Sequence, residues 1–523
     1  MSLIKKFVTV ASGTMMSRVF GFIREMLMAT ALGTGPVADA FNAAFRFPNT
    51  FRRLFAEGAF NSAFVPLFAK EIEKGTDTAR QFSEEVFGVL FSILLVLTIV
   101  MELFMPFLVA YVIAPGFTAD AGKFEATVRL AAIMFPYLAC MSLAAMMGGM
   151  LNSLHRYFAA AIAPVFLNII LIGVLVWAWL ARLDAWNIGL GLSWGVMAAG
   201  MIQLFIVWIA IRNAGMKIGL RMPRFTANVR RLLVLALPAA ITGGITQINL
   251  LINTNIASTD AGAVSSLVYA DRLYQLPLGV VGIAVATVLL PELSRALRSG
   301  RLKEANALQN RSLEFTLLLS LPAAAAFLVM SEPIVRLLFE HGQFDAHATT
   351  VVSGILAVYG LGLPAFVLIK AFIPGFFARE DTRTPMIFAG ISVVVNVSLA
   401  ITLFPSLSAK GIAIAEITAG WANAILLFLM LAKRRHWNGD STLLKRTAIF
   451  LISSAAMALA LSFAIGHLVW PLSSAAPLTV RLFTTLALVL GAMAIYFGMV
   501  FLSGGATLSM IKRSLASKGR SGG

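Results

Sequence analysis

The amino-acid sequence predicts an all-α polytopic membrane protein with 14 transmembrane helices: two parallel six-helix repeats followed by two further C-terminal helices. Three observations predict it. Of 523 residues, 59% are hydrophobic and only 12% charged, whereas a soluble domain carries about 25% charged residues. Apolar stretches of about 20 residues, the length that crosses about 30 Å of hydrocarbon, recur along the whole chain. Cationic residues also alternate from loop to loop, as they do when Lys- and Arg-rich loops remain cytoplasmic. A water-soluble globule is excluded.

The spans are expected at 7–33, 37–66, 84–113, 126–152, 159–181, 187–211, 230–256, 264–291, 307–330, 348–377, 385–404, 409–433, 443–467 and 478–503. With both termini inside, the inner segments hold 28 cations, among them Arg212, Lys217, Arg221 and Arg224 in the longest inner loop and Arg230 and Arg231 at the edge of the span that follows. The outer side holds 5, namely Lys123, Arg182, Arg336, Lys410 and Arg481. An error of one span would scramble this alternation. Arg18 and Arg24 interrupt the first apolar segment, so it reads as a retained helix and not as a cleavable signal peptide. The formal net charge is +17 and the mean hydropathy +0.87, which suits a multi-pass protein whose basic loops face anionic lipid.

Landmarks recur at a nearly constant offset. Ala38-Asp39 matches Ala270-Asp271, Pro66 matches Pro291, Phe135-Pro136 matches Leu363-Pro364 and Asn168 matches Asn396. Six spans fall within one period, and an even number makes the two halves parallel, as in secondary transporters with a site between the halves near mid-membrane. The expected organisation is a lobe at 1–211, a cytoplasmic linker at 212–229, a second lobe at 230–434, and two additional helices with a basic tail at 435–523.

The loop cations leave 8 within or beside spans: Arg18, Arg24, Arg46, Arg52, Arg53, Arg129, Arg272 and Lys370. Arg129 lies near a span end and can snorkel. A mid-bilayer Arg costs about 2.5 to 3.5 kcal/mol on insertion scales, so four facing lipid would cost roughly 10 to 14 kcal/mol. They are expected to line a wet cavity. Helical spacing gathers Thr14, Ser17, Arg18, Gly21, Arg24 and Glu25 on one face of the first span. Asp39, Asn42, Arg46, Asn49, Arg53 and Glu57 share a face of the second, with Arg52 beside them and a kink at Pro48. Ser265, Tyr269, Arg272, Gln275 and Gly279 share a face of the eighth. Asp39, Glu57 and Asp271 could neutralise nearby arginines as packing ion pairs. After such pairing the cavity remains cationic, and the planar fork of Arg suits a phosphate or diphosphate ligand.

At these residues the sequence resembles the MurJ (MviN) family of lipid II flippases, in the MOP exporter superfamily that also contains the MATE drug exporters. The carrying segments are Ser17-Arg18-Val19-Phe20-Gly21-Phe22-Ile23-Arg24, Ala38-Asp39-Ala40-Phe41, the run Pro48-Asn49-Thr50-Phe51-Arg52-Arg53 through Glu57-Gly58-Ala59-Phe60, Tyr269-Ala270-Asp271-Arg272-Leu273, and Pro374-Gly375-Phe376-Phe377. The resemblance implies a MATE-like fold working by alternating access. It implies passage of undecaprenyl-diphosphate-linked disaccharide pentapeptide, lipid II, from the cytoplasmic to the periplasmic leaflet of the bacterial inner membrane. Arg18, Arg24, Arg52 and Arg272 would hold the diphosphate and neighbouring acidic groups, with Ser17 and Asn49 beside them. Asp39 and Glu57 would organise gates, and Arg53, Ser265, Gln275 and Lys370 would complete the cavity. Some relatives have Glu where this chain has Gln275, which supplies no acidic gating contact. The last two spans would form a groove for the lipid tail. A sodium site of some relatives uses carboxylates in spans seven and eleven; here those spans offer Asn249, Asn253 and Asn396.

Other chemistry is poorly served. Cys140 is the single cysteine, so neither an intramolecular disulfide nor a Cys-rich metal site is expected. No phosphate-binding loop of the Gly-x-x-x-x-Gly-Lys-Ser/Thr type is present, nor a His-Glu-x-x-His motif. The loop cluster of Glu340, His341, Asp345 and His347 matches no compact zinc spacing. The chain is therefore expected to need no cofactor or metal, to bind no nucleic acid, and to draw energy from membrane potential or an ion gradient whose ion the sequence leaves open. Membrane lipids and cell-wall synthesis proteins are the expected company of lipid II. Two alternatives stay open beside a lipid II flippase: a MATE-type drug or cation exporter, and a flippase for another polyprenyl-diphosphate-linked oligosaccharide. An intramembrane transferase would need catalytic carboxylates or histidines that only the Glu340–His347 cluster offers.

Overall fold

The computed structural model describes residues 3–53 and 60–505, and every described regular element is helical. The α-helices in order are α1 (Leu3–Leu32), α2 (Pro36–Arg52), α3 (Phe60–Lys74), α4 (Thr76–Leu103), α5 (Met105–Leu108), α6 (Ala121–Met134), α7 (Tyr137–Ser153), α8 (Phe158–Leu180) and α9 (Ala185–Asn213). There follow α10 (Ala227–Ala257), α11 (Ala263–Arg298), α12 (Leu302–Phe339), α13 (Ala346–Phe377), α14 (Arg383–Lys433), α15 (Ser441–His467), α16 (Val469–Leu472) and α17 (Leu478–Leu502). Side-chain caps open several helices: Asp120, Asp184, Thr226 and Asp440 each accept a hydrogen bond from the backbone N–H three residues on. This satisfies one of the donors that a helix start leaves without an intrahelical partner.

Nine of the described helical segments are long and apolar enough to cross a membrane. Helices α1, α2 and α11, which carry the arginines expected within spans, are not among the nine; α2 has only 17 residues. Large side chains left bare fit a lipid surround: Trp179 is 77% exposed and Phe463 70%. At 51 residues α14 would be about 76 Å long if straight, more than twice the hydrocarbon thickness. Ser408 divides it with φ 50° and ψ −139°, a left-handed position that a non-glycine residue occupies only at a cost. The expected spans 385–404 and 409–433 fall on either side of this break.

The chain forms two compact units, residues 1–268 with 341–345, and residues 269–340 with 346–523. In the first, α1 packs on α8, α8 on α9, and α7 on α9. A core of Phe64, Phe68, Phe82, Met146 and Met150 holds α3, α4 and α7 together, with Phe64 stacked on Phe60, Phe68 and Phe82. In the second, α12 packs on α13 and α15, and Phe450, Met457, Leu488, Ala492 and Tyr496 form a core beneath α15 and α17. Largely buried carboxylates clamp basic residues. Glu84 receives Arg221 at 2.6 Å and the Gly219 N–H at 3.2 Å. Burial works to raise the Asp381 carboxyl, but hydrogen bonds from Thr384 and Arg434, with the Arg434 charge, hold it down at about 2.

One end of the first unit is sealed by close backbone approach. The Gln343 N–H donates to the Thr30 carbonyl at 2.9 Å. Gly33 and Gly342 have φ of +56° and +61°, and a Cβ on them would lie 2.3 Å from the Gln343 oxygen and 2.4 Å from the Thr30 oxygen respectively. Left-handed strain costs about 1–3 kcal/mol for a non-glycine residue even before such a clash. Gly342→Ala is therefore expected to destabilise the protein by at least about 2 kcal/mol. Gly354→Ala, where nothing lies within 4 Å of the added carbon, should be neutral. Thermal unfolding in detergent checks the pair; equal melting of the two variants would refute the packing argument.

Candidate functional site

Helix α2 begins with Pro36, which presets the backbone for a first turn, and carries Asp39 into complete burial. The carboxylate accepts four hydrogen bonds: from Lys123 Nζ (2.7 Å) and the Gly262 N–H (2.8 Å) on Oδ2, and from the Ser265 N–H (2.9 Å) and Ser265 Oγ (2.7 Å) on Oδ1. The Lys123 ammonium also lies 4.0 Å from the centre of the Phe117 ring. Asn42, one turn further along α2, donates to Ser265 Oγ at 3.4 Å. A buried carboxylate requires this degree of satisfaction, since a charge without partners would be expelled or neutralised. Asp39 and Ser265 are thus brought together, joining α2, α6 and the start of α11. Beside them Gly116 donates to Ser258 Oγ at 2.9 Å and Asn255 to the Val112 carbonyl at 3.0 Å.

A second polar group lies between α1 and α8. The Arg24 guanidinium is buried with one nitrogen on Glu25 and another donating to Asn168 Oδ1 at 3.0 Å. Asn168 Nδ2 in turn donates to the Ser17 carbonyl at 2.9 Å. Gly21 makes room for this, because a Cβ there would already touch the Asn168 amide at 3.5 Å. Ser17 and Arg24 therefore meet through Asn168, while Arg18 is exposed. On α2, Arg52 Nε donates to Asn49 Oδ1 at 2.9 Å, both side chains half-buried, and Arg46 reaches Thr254 Oγ1 at 2.6 Å. Arg53 is half-buried just past the end of α2. Glu57 lies outside the described residues.

Arg272, Gln275 and Lys370 belong to the second unit. Gln275 donates to Asp271, one helical turn earlier on α11. Arg272 is half-buried and Lys370 exposed. Tyr359 Oη donates to Glu416 Oε2 at 2.7 Å, and the Tyr274 ring rests 5.3 Å from Tyr359 and 6.0 Å from Phe366. The Glu340–His347 segment is put to structural use: Glu340 accepts from Arg336 (3.3 Å) and Thr349 (2.6 Å). Among the described residues, no three His, Cys, Asp or Glu side chains are grouped so as to hold a metal ion.

Sequence reasoning missed four of these participants. Lys123 reads as an ordinary outer-loop cation, and Asn168 only as a marker of the repeat. Glu416, alone among apolar neighbours in Gly411-Ile-Ala-Ile-Ala-Glu416, and its donor Tyr359 were not singled out. The signal for Glu416 was present, since an intramembrane acid is costly unless it serves a purpose.

Long apolar helices with bare hydrophobic surfaces and satisfied charges inside them define a polytopic membrane protein of transporter architecture. A solved structure described as the inward-facing conformation of a multidrug resistance MATE family transporter of the MOP superfamily matches with a TM-score of 0.67 at 14% identity, over 82% of this chain and 97% of that one. The likeness to a solved lipid II flippase MurJ, inward closed conformation, is greater: TM-score 0.77 at 25% identity, over 94% of this chain and all of that one. The family model for lipid II flippase MurJ matches residues 28–490. A probable lipid II flippase MurJ of Rhizobium meliloti is 73% identical over 98% of this chain and 96% of its own length. The lipid II flippase MurJ of Burkholderia cenocepacia is 35% identical over 96% of this chain and 98% of its own. The chain belongs to the MurJ family.

Proposed function

We propose that this protein is a transporter, not an enzyme, and that it flips lipid II from the cytoplasmic to the periplasmic leaflet of the inner membrane during peptidoglycan synthesis. The observation that carries this reading is the 73% identity to a probable lipid II flippase across 98% of the chain. In this reading 14 spans with cytoplasmic termini form lobes at 1–211 and 230–434, joined by 212–229, with 435–523 supplying two helices beside them. The lobes alternate access to a cationic cavity where Arg18, Arg24, Arg52 and Arg272 grip the diphosphate, and Ser17 and Asn49 complete its polar wall.

Asp39 and Ser265 act in one gate, where a carboxylate holding four donors stabilises the closed form. Glu57, Arg53, Gln275 and Lys370 belong to the gating and cavity set. Excess arginine argues against a cation exporter, whose cavity should be net acidic to offset its cargo. Purified protein in proteoliposomes, assayed for flipping of lipid II and for uptake of a cationic dye, tests the proposal. The wild type is expected to flip lipid II and Arg272→Ala to fall to about a tenth of that rate, the loss of one charge-assisted contact. Dye uptake without lipid II flipping would overturn it.

A further inference from the structure

Helix α17 turns one stripe inward: Arg481, Thr485, Leu488, Ala492, Tyr496 and Val500 are buried at helical spacing. Four of the six belong to the apolar core with α12 and α15, and Tyr496 closes the stripe by donating to the Leu318 carbonyl at 2.8 Å. The opposite end of the stripe is anomalous. Arg481 is only 9% exposed, yet its Nε and Nη1 have no hydrogen-bond partner among the described residues, and neither has Thr485 Oγ1. An apolar or small residue would fit this core position more cheaply than a buried guanidinium without an acceptor.

The acids of that corner are already engaged. Arg336 takes Glu332 and Glu340 and donates to the Leu472 carbonyl at 3.1 Å, and Ser474 donates to Glu340. Arg481 is left facing the start of its own helix, because helical side chains lean toward the N-terminus. There the first-turn N–H groups and the helix dipole also favour an anion.

Depth identifies the class of anion. With 25 residues, α17 is about 37 Å long, so a hydrocarbon layer of about 30 Å centred on it begins about two residues inside Leu478. Arg481 sits at that boundary and its head leans toward the headgroups. Leu478, Leu482 and Phe483 on the same turns are exposed, offering acyl chains a surface beside it.

We propose that Arg481 binds the headgroup phosphate of an anionic phospholipid at the membrane face where α17 begins, the outer one by charge asymmetry. This site is separate from the diphosphate-binding arginines and shares with the functional reading only its placement in a bilayer. A guanidinium fork satisfies phosphate oxygens as it satisfies no neutral headgroup.

The test titrates full-length, delipidated protein with dioleoyl phosphatidylglycerol and reads binding by native mass spectrometry and melting temperature. In the wild type the lipid should bind and raise the melting temperature. In Arg481→Gln the tightest binding should weaken about tenfold, the loss of one charge-assisted hydrogen bond, and the rise in melting should disappear. Arg481→Lys should fall between, which keeps the test open if the Gln variant folds poorly. Arg129→Gln removes a charge that instead lies 5.7 Å from the Trp186 ring centre, and should bind as the wild type does. Unchanged binding in both Arg481 variants would overturn the proposal. So would full displacement of the phospholipid by inorganic phosphate at millimolar concentration, which marks a free-anion site, or by equimolar undecaprenyl diphosphate, which marks a substrate site.

Discussion

Asp39→Leu is expected to destabilise the protein by about 3–5 kcal/mol, the cost of removing one partner from a buried ion pair. The substitution takes away the acceptor for four hydrogen bonds and leaves the Lys123 ammonium, itself nearly buried, without its counter-charge. Asp39→Leu with Lys123→Met should recover part of the loss, since replacing both members by apolar groups of similar volume is far less costly than breaking the pair. A double-mutant cycle on thermal unfolding in detergent measures this. If the double variant is as unstable as the sum of the two singles, Lys123 and Asp39 are not coupled.

Arg24 supports the second large effect. Its guanidinium serves Glu25 with one nitrogen and Asn168 with another, and its Nε has no hydrogen-bond partner among the described residues. Lysine keeps the charge but offers a point donor on a flexible stem, so it cannot span both partners while presenting a fork to phosphate. Lipid II flipping at matched protein levels is expected to fall about tenfold in Arg24→Lys and about a hundredfold in Arg24→Ala, corresponding to one and two charge-assisted hydrogen bonds. Equal rates for Arg and Lys would show that charge alone matters there and would leave the grip to Arg18, Arg52 and Arg272.

The helices were most legible where apolarity is continuous and flanked by caps or turns. The expected spans 159–181, 187–211, 348–377, 443–467 and 478–503 meet α8, α9, α13, α15 and α17 within about two residues at each end. They were less legible where prolines and charges intervene. The segment expected at 126–152 passes through two helices that meet at Phe135-Pro136, and the one at 37–66 falls on α2 and α3. Hydropathy registers burial in lipid, which proline does not interrupt; hydrogen-bond continuity is a separate matter that the 3.6-residue period cannot report.

Site residues divide along similar lines. The cost of an intramembrane charge marks Arg24, Asp39, Arg52 and Arg272 from sequence alone. Partners are another matter: Lys123, Asn168 and Thr254 lie 84, 144 and 208 positions away from Asp39, Arg24 and Arg46 respectively. No local pattern connects residues so far apart; helix packing does. Arg481 shows the opposite limit, since the count of loop cations sees its charge and not the core into which it turns.

The concentration of four donors on the Asp39 carboxylate has a mechanical consequence. Two chain segments, around Lys123 and around residues 262–265, share a single acceptor group. Loosening one of them leaves the carboxylate held by the other and still buried, so water cannot replace the lost bond and little is gained by partial release. Only simultaneous withdrawal exposes the group to solvent. The arrangement behaves as a detent: small fluctuations are returned to the seated position, intermediate openings stay sparsely populated, and a push has no lasting effect until it exceeds a threshold of several hydrogen bonds at once.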